Sequence, residues 1–178
     1  GEAKGINLTA KSILIDNSSI TTFARDESQA EPGTVQNATG GNIEVQALDD
    51  LVIRNGEIHT RADAGEAKAA NITIDASRVR IIKEGELAGI FENFSGILTT
   101  KGNNADDSGD ILINASESVE LIGDRPGIFV ANNLDDFLFT SGATINARIR
   151  SPGISGGITI NTARLVVKDE ATVSTFPF

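Results

Sequence analysis

Residues 41–60 read GNIEVQALDDLVIRNGEIHT, and this stretch decides the fold. Apolar and polar residues alternate from Ile43 and again from Leu51, and a third alternation follows the turn pair Asn55-Gly56. A two-residue period places every second side chain on the same side of the backbone, which is typical of a β-strand with one buried face. The stretch therefore predicts three short strands, with a corner between the first two because their connection is too short for a helix.

The same three-part pattern recurs along the chain. Its first part has the form I-x-[ILV]-x-[AT], and the copies begin at Ile6, Ile43, Ile72, Ile111 and Ile158. Their spacing falls within the roughly 20–50 residues that are typical of stacked repeats, in which neighbouring copies bury each other's apolar faces. We therefore predict an all-β fold, a parallel β-solenoid with about five coils of three short strands each. A β-sandwich or an up-and-down barrel is the competing fold, although its hairpins would show two-residue connectors.

Equivalent positions of the copies are expected to stack in columns. An alanine column is predicted at one inner corner and a threonine column at another; their members are Ala10, Ala47, Ala76 and Ala115, and Thr22, Thr60, Thr100 and Thr175. In the third copy this alignment places Leu98 and Thr100 on the inner face of the same strand, so Thr99 between them is expected to point outward. The outward third-strand column is then Thr21, His59, Thr99, Asn146 and Ser174.

Two copies carry insertions at the same point, between their second and third strands. These are residues 86–95 and 124–141, and insertions at equivalent points of consecutive coils emerge on one side. They contain five of the eight phenylalanines, Phe91, Phe94, Phe129, Phe137 and Phe139. The aromatic residues have two interpretations: an apolar cluster that only packs outside the stack, or a partner-binding patch on loops that a rigid scaffold presents.

Composition excludes several kinds of site. The net charge of −10 makes nucleic acid an unexpected partner, because the chain and the phosphate backbone would repel each other. The chain has no Cys, and its only histidine is His59, so neither a zinc site nor a histidine-based catalytic triad is recognisable. No cofactor, metal site or catalytic residue is assigned. Because the chain begins at Gly and lacks Met, residues 1–178 are expected to be one segment of a larger protein.

Paired acids are the remaining candidates for chemistry. They occur at Asp49-Asp50, Asp106-Asp107 and Asp135-Asp136. Two facing carboxylates can hydrolyse glycosidic bonds, and oxygen-rich loops such as residues 101–110 can bind calcium. We interpret these acids as solvated loop charges, and calcium binding stays open. A carbohydrate-active enzyme, either a polysaccharide lyase or a hydrolase, is the alternative function, because parallel β-helices also carry such activities.

Residues 41–76 resemble the repeat region of filamentous-haemagglutinin-like exoproteins of bacterial two-partner secretion systems, particularly the cyanobacterial members. The resemblance lies in [GA]-[ND]-I-x-[IV]-x-A, L-x-I and N-G-x-I-x-T. Residues 41–76 match best, and the resemblance covers most of the chain except residues 23–40 and both insertions. It implies a right-handed parallel β-helix and export through a dedicated outer-membrane transporter. It also implies a secreted or cell-surface location and an adhesin-like role that involves surface glycans or proteins.

The chain departs from that family in one respect. The Asn-Pro-Asn-Gly-type motif of the family's secretion domain is absent, so the resemblance implies a piece of the repeat shaft. No capping helix is recognisable in the sequence. The end coils are therefore expected to expose strand edges, and end-to-end self-association is a predicted interaction.

Overall fold

The computed structural model describes residues 4–24, 39–62, 68–85, 94–101, 108–123, 142–148 and 156–176. Within these ranges the chain is all-β, and no helix there is long and apolar enough to cross a membrane. The strands are β1 (Ile6–Ala10), β2 (Ile13–Asp16), β3 (Ser19–Ala24), β4 (Ile43–Arg54), β5 (Glu57–Ala62), β6 (Ile72–Ile82), β7 (Phe94–Lys101), β8 (Ile111–Ile122), β9 (Gly142–Arg148), β10 (Ile158–Thr162), β11 (Leu165–Lys168) and β12 (Thr172–Phe176).

The strands form two parallel sheets. The larger sheet has the order β1-β4-β6-β8-β10, with β2 also paired to β4 and β11 to β8. The smaller sheet has the order β3-β5-β7-β9-β12. Each strand therefore pairs with the equivalent strand of the next repeat copy. This arrangement argues against a sandwich or an up-and-down barrel built from hairpins, because hairpin neighbours run antiparallel.

The register of the larger sheet confirms the alignment of the five copies. Ile43 pairs with Ile6 on one side and with Ile72 on the other, and the column continues through Ile111 to Ile158. In the middle copies these isoleucines are almost completely buried, as are Leu51, Ile53, Val79, Ile81, Val119 and Leu121. Each such side chain stabilises the fold by about 1.5–3 kcal/mol relative to an exposed one.

The predicted corner between the first two segments is wrong for the middle copies. There both segments belong to one continuous strand, β4, β6 or β8, and they separate into two strands only in the first and fifth copies. Register irregularities between Ala47 and Asp50 and between Ala76 and Arg78 mark the expected corner. A bulge bends a strand without ending its pairing, so the two segments stay in one sheet.

The alignment of the third copy is also wrong, by one residue. Ile97 pairs with Ile58 and Thr99 with Thr60, and both Ile97 and Thr99 are fully buried. Leu98, which was expected inside, pairs with His59 in the outward column. The segment GILTTK offers two alternations one residue apart, and a shift by one residue exchanges the two faces of a strand.

The columns of small residues are otherwise as expected. Ala10, Ala47, Ala76 and Ala115 share one register position, which Thr162 completes in the fifth copy. After the one-residue correction, the other column consists of Thr22, Thr60, Thr99, Ala147 and Thr175. The predicted turn residue Asn55 is left-handed, at φ 48°. Left-handed residues also follow the second segment of three other copies: Asn17 at 48°, Gly85 at 69°, and Asp169 and Glu170 at 54° and 63°.

Candidate functional site

The predicted aromatic patch lies largely outside the described residues. This is so for Phe91, Phe129, Phe137 and Phe139, and for the whole insertion 124–141. Phe94 begins β7, where its backbone pairs with Gly142, but its side chain is outside the described part. The aromatic patch therefore stays a prediction, and so does the expectation that both insertions emerge on one side of the stack.

A ladder of polar side chains runs along the outer face of the larger sheet. Asp75, Asn114 and Asn161 occupy one register position in three successive copies. The Asn114 Nδ2 donates to Asp75 Oδ1 at 2.9 Å, and the Asn161 Nδ2 donates to Asn114 Oδ1 at 2.8 Å. Each amide is thus oriented by the copy before it. Together with Ala76, Ala115, Ser116, Thr162 and Ala163, the ladder lines a shallow open groove.

A second ladder holds the starts of the copies together. The Oδ1 atoms of Asn42, Asn71 and Asp110 each accept a backbone N–H from the next copy. The distances to the nitrogens of Asn71, Asp110 and Gly157 are 3.2, 2.8 and 2.7 Å. These side chains satisfy backbone donors, which is a structural role.

Charged residues also form contacts between copies. The Arg54 guanidinium donates to both carboxylate oxygens of Asp16, at 3.0 and 2.7 Å. This hydrogen bond, assisted by the charge of Arg54, holds the pKa of Asp16 below its usual value. Glu120 forms ion pairs with Arg80 and Arg164 of the two neighbouring copies, one at each carboxylate oxygen.

The acidic pair Asp49-Asp50 forms ion pairs with basic residues of neighbouring copies. Arg78 donates to Asp50 at 2.5 and 3.1 Å, and Lys11 lies 3.7 Å from Asp49. The hydrogen bond from Arg78 lowers the pKa of Asp50 below its usual value. The other two predicted pairs, Asp106-Asp107 and Asp135-Asp136, lie outside the described residues.

His59 is on the outward face of β5, as predicted, and its ring is half-buried. Its Nδ1 lies 3.8 Å from Glu57 Oε2, and its register neighbours are Thr21 and Leu98. No group of three or more His, Cys, Asp or Glu side chains that could hold a metal occurs in the described ranges. His59 therefore has a carboxylate neighbour, but no metal-ligand cluster forms around it in this part of the chain.

Sequence reasoning missed Lys83, which is among the largest fully buried side chains. Its Nζ donates to the Gly85 carbonyl oxygen at 3.1 Å and to Asn55 Oδ1 at 3.4 Å. Asn55 Oδ1 also accepts the backbone N–H of Glu84 at 2.9 Å. Lys83 continues the inward alternation of Val79 and Ile81, so the two-residue period was the available signal.

The arginine ion pairs were missed for another reason. Asp16 and Arg54 are 38 residues apart, and Asp50 and Arg78 are 28 residues apart. The partners flank the second apolar alternation of successive copies. Only an alignment of these alternations that included their polar neighbours would have placed each arginine beside its aspartate.

No protein-family model matches this chain, and no curated protein or solved structure is detectably similar to it.

Proposed function

We propose that this chain is a segment of a right-handed parallel β-helix with a structural and adhesive role. In this proposal it belongs to a secreted or cell-surface bacterial protein of the filamentous-haemagglutinin-like type, and it is not an enzyme. The observation that supports it most is the parallel, in-register pairing of five successive repeat copies in two sheets.

The contacts between copies suit a rigid spacer. The buried isoleucine column, the Asn42–Asn71–Asp110 ladder and the Asp16–Arg54 pair all join one copy to the next. In such a stack each copy adds about 4.8 Å of length, so a chain of many repeats becomes a long shaft. A shaft of this kind would hold binding surfaces away from the cell.

The outer ladder supports the adhesive part of the proposal. Exposed amide and carboxylate groups of Asp75, Asn114 and Asn161 can exchange hydrogen bonds with the hydroxyl groups of a surface glycan. Their spacing of one copy lets them follow an extended ligand along the groove. The net charge of −10 favours neutral or cationic partners over nucleic acid.

Export through an outer-membrane two-partner-secretion transporter is part of the same proposal. It is supported by the resemblance of residues 41–76. The chain has no Cys, so it needs no disulfide to fold after secretion.

Binding of the purified chain to a glycan array and to cells tests the adhesive role. We expect the variant Asn114→Ala/Asn161→Ala to bind less than the parent chain, because it loses the groove amides. Thr21→Ala, on the outer face of the smaller sheet, is the matched control and should bind normally. If the folded parent chain binds no glycan and no cell, the adhesive role is wrong and only a shaft remains. An experimental structure with antiparallel neighbours or left-handed winding would overturn the β-helix.

A further inference from the structure

Lys83 is buried at the junction between the second and third copies. Ile82, the residue before it, pairs with Arg54, so Lys83 lies beside Asn55 in the same register. Lys83 is 2% exposed and is among the largest fully buried side chains. Lysine is rarely buried so completely, because its amine gives up its hydration. The groups around Lys83 therefore decide what this amine can do.

The equivalent positions of the other copies carry no amine. Backbone hydrogen bonds between copies continue the register past the second segments and define one column, Asn17, Asn55, Lys83, Gly123 and Asp169. Among these described residues, an amine and a carboxamide are neighbours only where Lys83 meets Asn55. The fold itself does not require this combination, because the same turn forms with other residue types in the other copies.

The Asn55 carboxamide is held next to the Lys83 amine. Lys83 Nζ lies 3.4 Å from Asn55 Oδ1, the oxygen bonded to the carboxamide carbon Cγ. The same Nζ donates to the Gly85 carbonyl oxygen at 3.1 Å, which orients the end of the side chain. The Glu84 backbone N–H donates to Asn55 Oδ1 at 2.9 Å, so it would stabilise negative charge that develops on this oxygen during an attack on Cγ. A nucleophile, an electrophile and an oxyanion donor thus lie together.

We propose that Lys83 and Asn55 form an intramolecular isopeptide bond, which joins the second copy covalently to the third. Lys83 Nζ attacks Asn55 Cγ, a new C–N bond forms, and the bond between Cγ and Nδ2 breaks. The charged amine loses two protons in forming the amide, and the leaving NH2 group takes up both and departs as ammonium. The step needs no oxidant or reductant. It gives a chain without Cys a covalent link between copies that a disulfide cannot provide.

The pair Asn55-Gly56 has a competing reaction that also releases ammonia. In it the backbone nitrogen of Gly56 attacks Asn55 Cγ and closes a cyclic imide. In the folded chain this N–H donates to Ser95 Oγ at 3.4 Å, and Ser95 is completely buried. The Gly56 nitrogen is therefore engaged with another copy, whereas Lys83 Nζ already donates to the Asn55 carboxamide. The geometry favours Lys83 as the attacking group.

Intact mass spectrometry of the purified, folded chain tests for the bond. We expect the mass calculated from the sequence less one ammonia. Lys83→Met and Asn55→Gly should each have the full calculated mass, and glycine adopts the left-handed conformation of Asn55 without strain. Lys11→Met, at a side chain that is 81% exposed, is the matched control and should keep the loss. A parent chain of full mass overturns the inference, and so does a loss that persists in Lys83→Met, which would assign it to the cyclic imide.

Trypsin digestion of the parent chain locates the bond. Trypsin cleaves after Arg and Lys, but not after a lysine whose amine has become an amide. We expect a branched product in which residues 55–61 are joined to residues 81–101, uncut after Lys83. Unlinked peptides 55–61 and 81–83 in full yield overturn the inference, even if the chain binds glycans. A linked chain that binds no glycan or cell overturns only the adhesive role.

Discussion

The hydroxyl of Thr99 donates a 2.6 Å hydrogen bond to the carbonyl oxygen of Gly109, inside the stack. Thr60 makes the same bond, at 2.6 Å, to Ala70 one copy earlier. Both threonines are completely buried. The equivalent Thr22 hydroxyl is also buried, but it has no hydrogen-bond partner in the described ranges. One column thus contains satisfied and unsatisfied copies of the same group.

This difference predicts opposite effects of one substitution. Thr99→Val removes a buried hydrogen bond and should lower the free energy of unfolding by about 1 kcal/mol or more. Thr22→Val removes a hydroxyl without a partner and should leave the stability unchanged or raise it. Urea unfolding of the two variants measures both effects. Equal losses would show that the hydrogen bond to Gly109 does not stabilise the fold.

Gly109 is predicted to be essential for the close approach of two copies. A Cβ at this position would overlap the carbonyl oxygen of Ala70. We expect Gly109→Ala to lower the free energy of unfolding by about 3 kcal/mol or more, because backbone has to move. Gly157→Ala is the matched control, since its Cβ would meet nothing closer than Asp110 Oδ1 at 3.6 Å. Similar unfolding midpoints for both variants would contradict the close packing.

The apolar column is predicted to supply much of the stability. Ile74 is completely buried between Val45 and Ile113, so Ile74→Ala should cost about 2–5 kcal/mol through lost contacts and a cavity. Leu48→Ala removes a similar volume from a side chain that is 75% exposed, and it should change the stability by about 0.5 kcal/mol or less. Thermal and denaturant unfolding of the pair would show whether burial governs the cost.

The two turn asparagines are predicted to differ in importance. Asn17 and Asn55 both have φ 48°, which glycine adopts without strain. Asn55 also accepts hydrogen bonds from Lys83 and Glu84, so Asn55→Gly should cost about 1–3 kcal/mol. In the described part of the chain the Asn17 side chain donates only to Asp16, so Asn17→Gly should have a smaller effect. If the two variants unfold alike, the Asn55 side chain does not hold Lys83 in place.

The ion pair between Asp50 and Arg78 should stabilise the fold only above acidic pH. Its hydrogen bond lowers the pKa of Asp50 in the folded chain, so folding favours the carboxylate. The stabilisation is complete above the unfolded pKa of about 3.9 and is lost as the pH falls through the lower folded value. A double-mutant cycle with Asp50→Asn and Arg78→Gln should give a favourable coupling energy at about pH 7 that weakens as the pH falls below about 3.9. A coupling that does not change with pH would exclude the carboxylate as its source.

Much of the architecture was predictable because repeated local patterns carry it. The copies beginning at Ile43, Ile72 and Ile111 pair in the expected register, and Asn17 and Asn55 form left-handed turns as their residue types indicate. The outer surfaces were less predictable. Arg54 and Asp16 meet only because two copies stack, and nothing in the local sequence of either residue indicates that contact.

By itself, the sequence determined the number of copies, the two-residue period of each strand and the positions of the turns, since these depend on neighbouring residues. Only the tertiary structure decided which of two alternations in GILTTK faces inward, because Ile97 and Thr99 fit the columns of Ile58 and Thr60 in the adjacent copy. It also decided that β4, β6 and β8 continue past the expected corners. In both cases the deciding energy comes from pairing and burial against another copy, and a single copy lacks these contacts.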